Sequence, residues 1–81
     1  MNIERMQLKG QLAEAKSNYR RLDVEASGLI LLIRSLLNPY EDDTTKQETE
    51  KALVSLSRLN EIVIELRRLK KKRSELEEYF D

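Results

Sequence analysis

An all-α fold, two antiparallel helices paired as a coiled coil, follows from three features of the sequence. Apolar residues recur in alternating steps of four and three from Leu8 onward, the only proline stands at position 39, and a second apolar seam starts soon after it. Steps of four and three are a heptad of period 3.5, the pattern that keeps one helix face against a partner. A short polar connection between two long helices makes them antiparallel neighbours.

The first seam runs Leu8, Leu12, Ala15, Tyr19, Leu22, Ala26, Leu29, Ile33, Leu36, Tyr40. Placing Leu8 at d puts Leu12, Tyr19, Ala26 and Ile33 at a, and Ala15, Leu22, Leu29 and Leu36 at d. The spacing predicts a helix over residues 2–38, interrupted by nothing but Gly10 and Gly28. Each glycine costs about 1 kcal/mol against alanine in a helix interior, which is tolerable.

Residues 29–37, Leu-Ile-Leu-Leu-Ile-Arg-Ser-Leu-Leu, form the most apolar stretch of the chain. Before it the seam is narrow and flanked by Lys9, Lys16, Arg20, Arg21, Asp23 and Glu25. Within it Leu29, Ile30, Leu31, Leu32 and Ile33 occupy d, e, f, g and a, so apolar groups point all round the helix. A helix of that kind needs cover on several sides, and one partner helix cannot supply it.

Pro39 disfavours a helical conformation at Asn38, so the helix is expected to stop there. A loop over 39–44 follows, and Thr45-Lys46-Gln47-Glu48 fits a capping box with Thr45 as N-cap. The second helix is predicted from about 45 to 79. Its seam is read as Thr49, Ala52, Leu56, Leu59, then across Ile62, Val63 and Ile64 to Leu66, Leu69, Leu76 and Phe80. This pairs Ile33 with Ala52, Leu29 with Leu56, Ala26 with Leu59, Leu22 with Val63 and Tyr19 with Leu66. A strict heptad from there would turn Lys70 and Glu77 inward, so a one-residue slip, a stammer, is expected near 62–63. Arg73 would then oppose Leu12, leaving the open end of the hairpin thinly packed. The chain is expected to be one domain, 1–81, similar in layout to Rop-type bundles, in which two hairpins share a four-helix core. That likeness implies no function.

Composition narrows the chemistry. Eighty-one residues bury little core alone, and small folds lean on disulfides, metals or partner subunits. With no cysteine and no histidine, disulfides, thiolate sites and imidazole catalysis drop out, which leaves oligomerisation. Fifteen basic and fifteen acidic residues cancel, so no global charge draws the chain to nucleic acid or membrane. The apolar stretch is far shorter than the roughly 20 residues of a membrane span, and a cytoplasmic protein is expected. Glu41, Asp42 and Asp43 lack the spacing and glycine of a calcium loop and suit solubility and capping better, so no metal or cofactor is expected.

The expected function is non-catalytic: a structural or protein–protein interaction module, a self-associating hairpin that serves as an assembly part or adaptor. Its homodimer interface is expected at Leu22, Ala26, Leu29, Ile30, Leu32, Ile33, Leu36, Leu37, Leu53, Leu56, Leu59, Ile62, Val63 and Leu66. Ala52 belongs to the same core, and another protein could use the stretch 29–37. The alternative is a small nucleic-acid-binding regulator using Lys16, Arg20, Arg21, Arg67, Arg68, Lys70, Lys71, Lys72 and Arg73. Against it, Lys71–Glu75 and Arg73–Glu77 are expected i,i+4 pairs, and no groove-reading motif accompanies the run.

Overall fold

The heptad and the proline do what their chemistry dictates. In the computed structural model, which describes residues 3–80, helix α1 spans Ile3–Leu36 and helix α2 spans Thr49–Glu77, closing in a 3₁₀ turn at Glu78–Phe80. The helices pack side by side as a rod of 66 × 19 × 14 Å, and no strand occurs among the described residues. The expected helix start at residue 2 lies outside the described residues.

Along α1 the predicted seam holds. Ala15, Leu22 and Ala26 are buried, and Leu8, Leu12, Tyr19, Leu29, Ile33 and Leu36 are half-buried. Tyr40 departs from it: the helix ends at Leu36, the period ends with it, and the ring is 89% exposed.

Along α2 the structure corrects the register. Ala52, Ile62, Leu69 and Leu76 are buried, and Ser55, Leu59, Leu66, Arg73 and Phe80 are half-buried at the positions between them. Those residues step by three and four without interruption, so there is no stammer. Ser55, not Leu56, takes the inward position, while Leu56 and Ile64 are exposed and Lys70 and Glu77 flank the seam rather than enter it. The reason is mechanical. Ile62, Leu66 and Leu69 fix the phase of the helix, and a rigid helix cannot rotate by 100° over one turn to bury a single leucine.

Packing is also distributed differently from the expectation of a thin open end. The large buried side chains, Leu22, Ile62, Leu69 and Leu76, sit in the middle and open half. Ala26 packs with Ile62; nearer the loop only Ala52 is buried, and the larger Leu29, Ile33 and Leu36 stay half-exposed. At the open end Arg73 lies 5.8 Å over the Tyr19 ring and Arg5 5.5 Å over Phe80, so flat aromatic faces shelter the cations at the seam.

The connection is longer and more structured than predicted. Thr45 does not cap α2. Instead Asp43 caps a short 3₁₀ turn, Thr44–Lys46, by accepting from the Thr45 N–H at 3.1 Å and the Thr45 hydroxyl at 2.6 Å. Glu48 occupies the N-cap of α2 without a side-chain cap bond. The Gln47 carboxamide closes the loop: Oε1 accepts from Asn38 N–H at 2.8 Å, and Nε2 donates to Asn38 C=O at 2.6 Å. Glu48 N–H donates to Leu36 C=O at 3.2 Å, joining the end of α1 to the start of α2. These bonds satisfy backbone groups that a helix end leaves unpaired.

Candidate interaction surface

The register decides which side chains flank the seam. In an antiparallel pair the e positions of both helices line one side and the g positions line the other. The ion pairs between helices identify both sides. Glu25 and Arg58, at g, meet in a bidentate pair at 2.7 and 3.0 Å, and Arg58 also reaches Glu61 at 3.5 Å. Lys16 and Glu77, at e, meet at 3.8 Å on the opposite side.

The g side is therefore polar along most of its length. The Arg58 hydrogen bond, helped by its charge and that of Arg21, holds the Glu25 carboxyl below the usual carboxylate range. Within α2, Arg68 does the same for Glu65. Leu32 is the large apolar residue of α1 on this side.

The e side divides in two. Toward the loop it carries Ile30, Leu37, Leu56 and Val63, with Leu53 beside them, and no ion pair crosses it there among the described residues. Ile30 is 47%, Leu37 40%, Leu56 51% and Leu53 65% exposed, so this apolar row faces outward from the hairpin. Toward the open end the same side turns basic, with Lys16, Arg20, Arg67 and Lys70. An open depression there is lined by Lys16, Tyr19, Arg20, Asp23 and Arg73.

The residues expected at an oligomer interface thus separate into two groups. Leu22, Ala26 and Ile62 are buried within the hairpin itself, with Leu29, Leu59 and Leu66 packed on them. A second chain cannot reach the first three, because the two helices of the hairpin already bury them against each other. Ile33, Leu36 and Val63 are half-buried, while Ile30, Leu32, Leu37, Leu53 and Leu56 remain exposed. Leu31, Val54 and Ile64 are exposed as well, and the interface expected from sequence leaves them out. The apolar character of 53–54 and 62–64 was visible in the chain, but only the phase of α2 shows which of these residues point away.

The basic residues are spread around the rod. Arg68 is held by Glu65, Lys16 by Glu77, and Arg73 by Glu77 at 3.4 Å and by the Tyr19 ring. The expected Arg73–Glu77 pair forms; a Lys71–Glu75 pair does not appear among the described residues. Arg20, Arg21, Arg67, Lys70, Lys71 and Lys72 make no ion pair among the described residues, and they point to several sides rather than along one groove.

Of the loop acids, Glu41 accepts from Asp43 N–H at 3.1 Å and Asp43 caps the 3₁₀ turn rather than α2. No group of three or more acidic residues is gathered as a metal would require, among the described residues. No helix among them is long and apolar enough to cross a membrane. Comparison with protein-family models, curated proteins and solved structures finds no match for this chain.

Proposed function

We propose that this chain is a non-catalytic protein–protein interaction module of the cytoplasm, a coiled-coil hairpin that homodimerises into a four-helix bundle as an assembly part or adaptor. One observation carries the reading: the loop half exposes Ile30, Leu31, Leu32, Leu37, Leu53, Val54 and Leu56, while toward the loop from the Ala26–Ile62 level its own seam buries only Ala52. Apolar surface concentrated in one region marks an interaction site, because leaving it in water forfeits about 25 cal/mol per Å². Among the described residues no third α-helix covers it.

Light scattering after gel filtration tests the reading. A dimer or larger species at micromolar concentration is expected, and a stable monomer would remove the bundle.

A second reading keeps some support from Arg20, Arg21, Arg67, Lys70, Lys71 and Lys72, which make no ion pair among the described residues: a small nucleic-acid-binding regulator. Such binding would weaken steeply with salt, as phosphate contacts release counterions. Titration against duplex and single-stranded oligonucleotides over a salt series distinguishes it. No affinity at low salt eliminates it.

A further inference from the structure

Self-association, the reading above on which this inference rests, leaves the arrangement of the two copies open. We infer that two hairpins pair antiparallel through their e sides, offset so that their loop halves overlap and the acidic loop of each lies on the basic belt of the other.

Two independent patterns meet in this arrangement. The first is the apolar row. Leu37, Ile30, Leu56 and Val63 lie on one side of the hairpin, and its midpoint falls at the level of Ile30 and Leu56. A twofold axis through that point sets Ile30 and Leu56 against their own counterparts and brings Leu37 of each copy beside the Val63 level of the other. A full-length antiparallel overlap would instead press this row on the charged open half.

The second pattern is charge. Residues 41–50 hold five acids against one lysine, whereas six of the seven residues 67–73 are basic, with Lys16, Arg20 and Arg21 alongside them on α1. From Ile30 the acidic loop lies about 15–20 Å in one direction, and Arg20, Lys16, Arg67 and Lys70 lie about 15–20 Å in the other, at 1.5 Å per residue. The axis that matches the apolar rows therefore also matches acids to bases. Two hairpins with loops at the same end would stack acid on acid and base on base, and like charges at close quarters disfavour that pairing.

The groups needed for the match are available. Among the described residues, Arg20, Arg67 and Lys70 have no ion pair and the Asp42 carboxylate accepts no hydrogen bond. The depression lined by Lys16, Tyr19, Arg20, Asp23 and Arg73 lies on this same side, where the loop of the second copy would arrive.

The chain has no cysteine, so single thiols can report the geometry. Variants Asp42→Cys and Arg20→Cys are unfolded together, refolded as a mixture and oxidised, with light scattering run in parallel. The expected product is the mixed 42–20 disulfide in excess over both symmetric ones. Predominant 42–42 and 20–20 disulfides from a dimeric sample would overturn the antiparallel offset while leaving self-association standing. So would a dimer that forms none of the three. A monomer by scattering would overturn the function reading together with the geometry. As a second measurement, Ile30→Glu with Leu56→Glu should raise the dimer dissociation constant at least 100-fold, with the helical signal of the hairpin retained at high concentration. Leu32→Glu with Val54→Glu, on the other side, should change it less than 10-fold. The reverse order of effects would place the second copy on the g side and sink the inference.

Discussion

The two halves of this rod solve the burial problem differently. In the middle and open half the seam carries Leu22, Ile62, Leu69 and Leu76, all buried, and its flanks carry mostly charge, with Ile3, Met6 and Tyr79 exposed at the far end. Toward the loop from the level where Ala26 packs with Ile62, the buried seam residue is Ala52, and leucines and isoleucines stand on the outside. Small seam residues bring two helices close but remove little apolar surface from water, while the flanking residues add surface that the pair cannot cover. One half thus covers most of its apolar seam within the hairpin, and the other leaves large apolar side chains exposed.

That contrast breaks most directly at Ile62, which is 1% exposed. Ile62→Ala should cost about 3 kcal/mol, the usual range for a large aliphatic cut to alanine in a core. The loss in thermal or urea unfolding should be the same at every protein concentration. Leu56→Ala should instead produce a loss that grows as concentration rises, since that residue is exposed in the hairpin and the proposed dimer would cover it. Equal, concentration-independent losses at both positions would erase the distinction between the halves.

A smaller effect is expected at the loop. Gln47→Ala removes two hydrogen bonds to Asn38 and should cost about 1–2 kcal/mol, with Gln47→Glu recovering part through the bond that Oε1 accepts. Amide exchange around 36–48 should accelerate first, because this carboxamide holds the two helix ends together.

The register itself can be sharpened at Ser55, a half-buried polar residue on the seam. Ser55→Leu should raise stability by about 1 kcal/mol by adding apolar surface where the helices meet. The adjacent Leu56→Ser should leave the monomeric hairpin nearly unchanged. The opposite pattern would restore the pairing of Leu56 with Leu29 and bring back the slip.

The smallest effect concerns acid. The Glu25 carboxyl sits below its ordinary value because Arg58 donates to it, so the unfolded chain binds a proton more readily than the folded one. Its contribution is complete above the ordinary carboxylate range and fades as pH falls through the depressed value. An acid unfolding profile compared with Arg58→Met should show that slice of pH dependence flattened. Both groups are solvent-exposed, so the shift should be slight.

Much of this architecture was legible in the chain. The four-and-three spacing from Leu8 to Leu36 predicts α1 because backbone geometry leaves one period to a helix face, and Pro39 ends it because its ring crowds the residue before it. The excess of apolar residues in 29–37 was equally plain. In α2, three consecutive apolar residues at 62–64 and two at 53–54 made the inward side ambiguous, and choosing the larger residue at each turn selected Leu56 over Ser55. The loop misled for a related reason: a capping-box pattern names residues that can cap, while Asp43 takes the Thr45 N–H and the Leu36 carbonyl takes the Glu48 N–H that such a box would use.

What the sequence determined by itself, then, is the set of local choices: two helices, a break at the proline, an apolar surplus beside it, acids at one end and bases in the other half. These depend on backbone sterics and composition, which act over a few residues. The tertiary structure alone decided the rotation of α2 about its axis, and through it which side of the rod is bound by Glu25 and Arg58 and which is left apolar. Rotation is a collective property. Ile62, Leu66, Leu69 and Leu76 set it together by burial against α1, and every other residue of the helix follows wherever they place it.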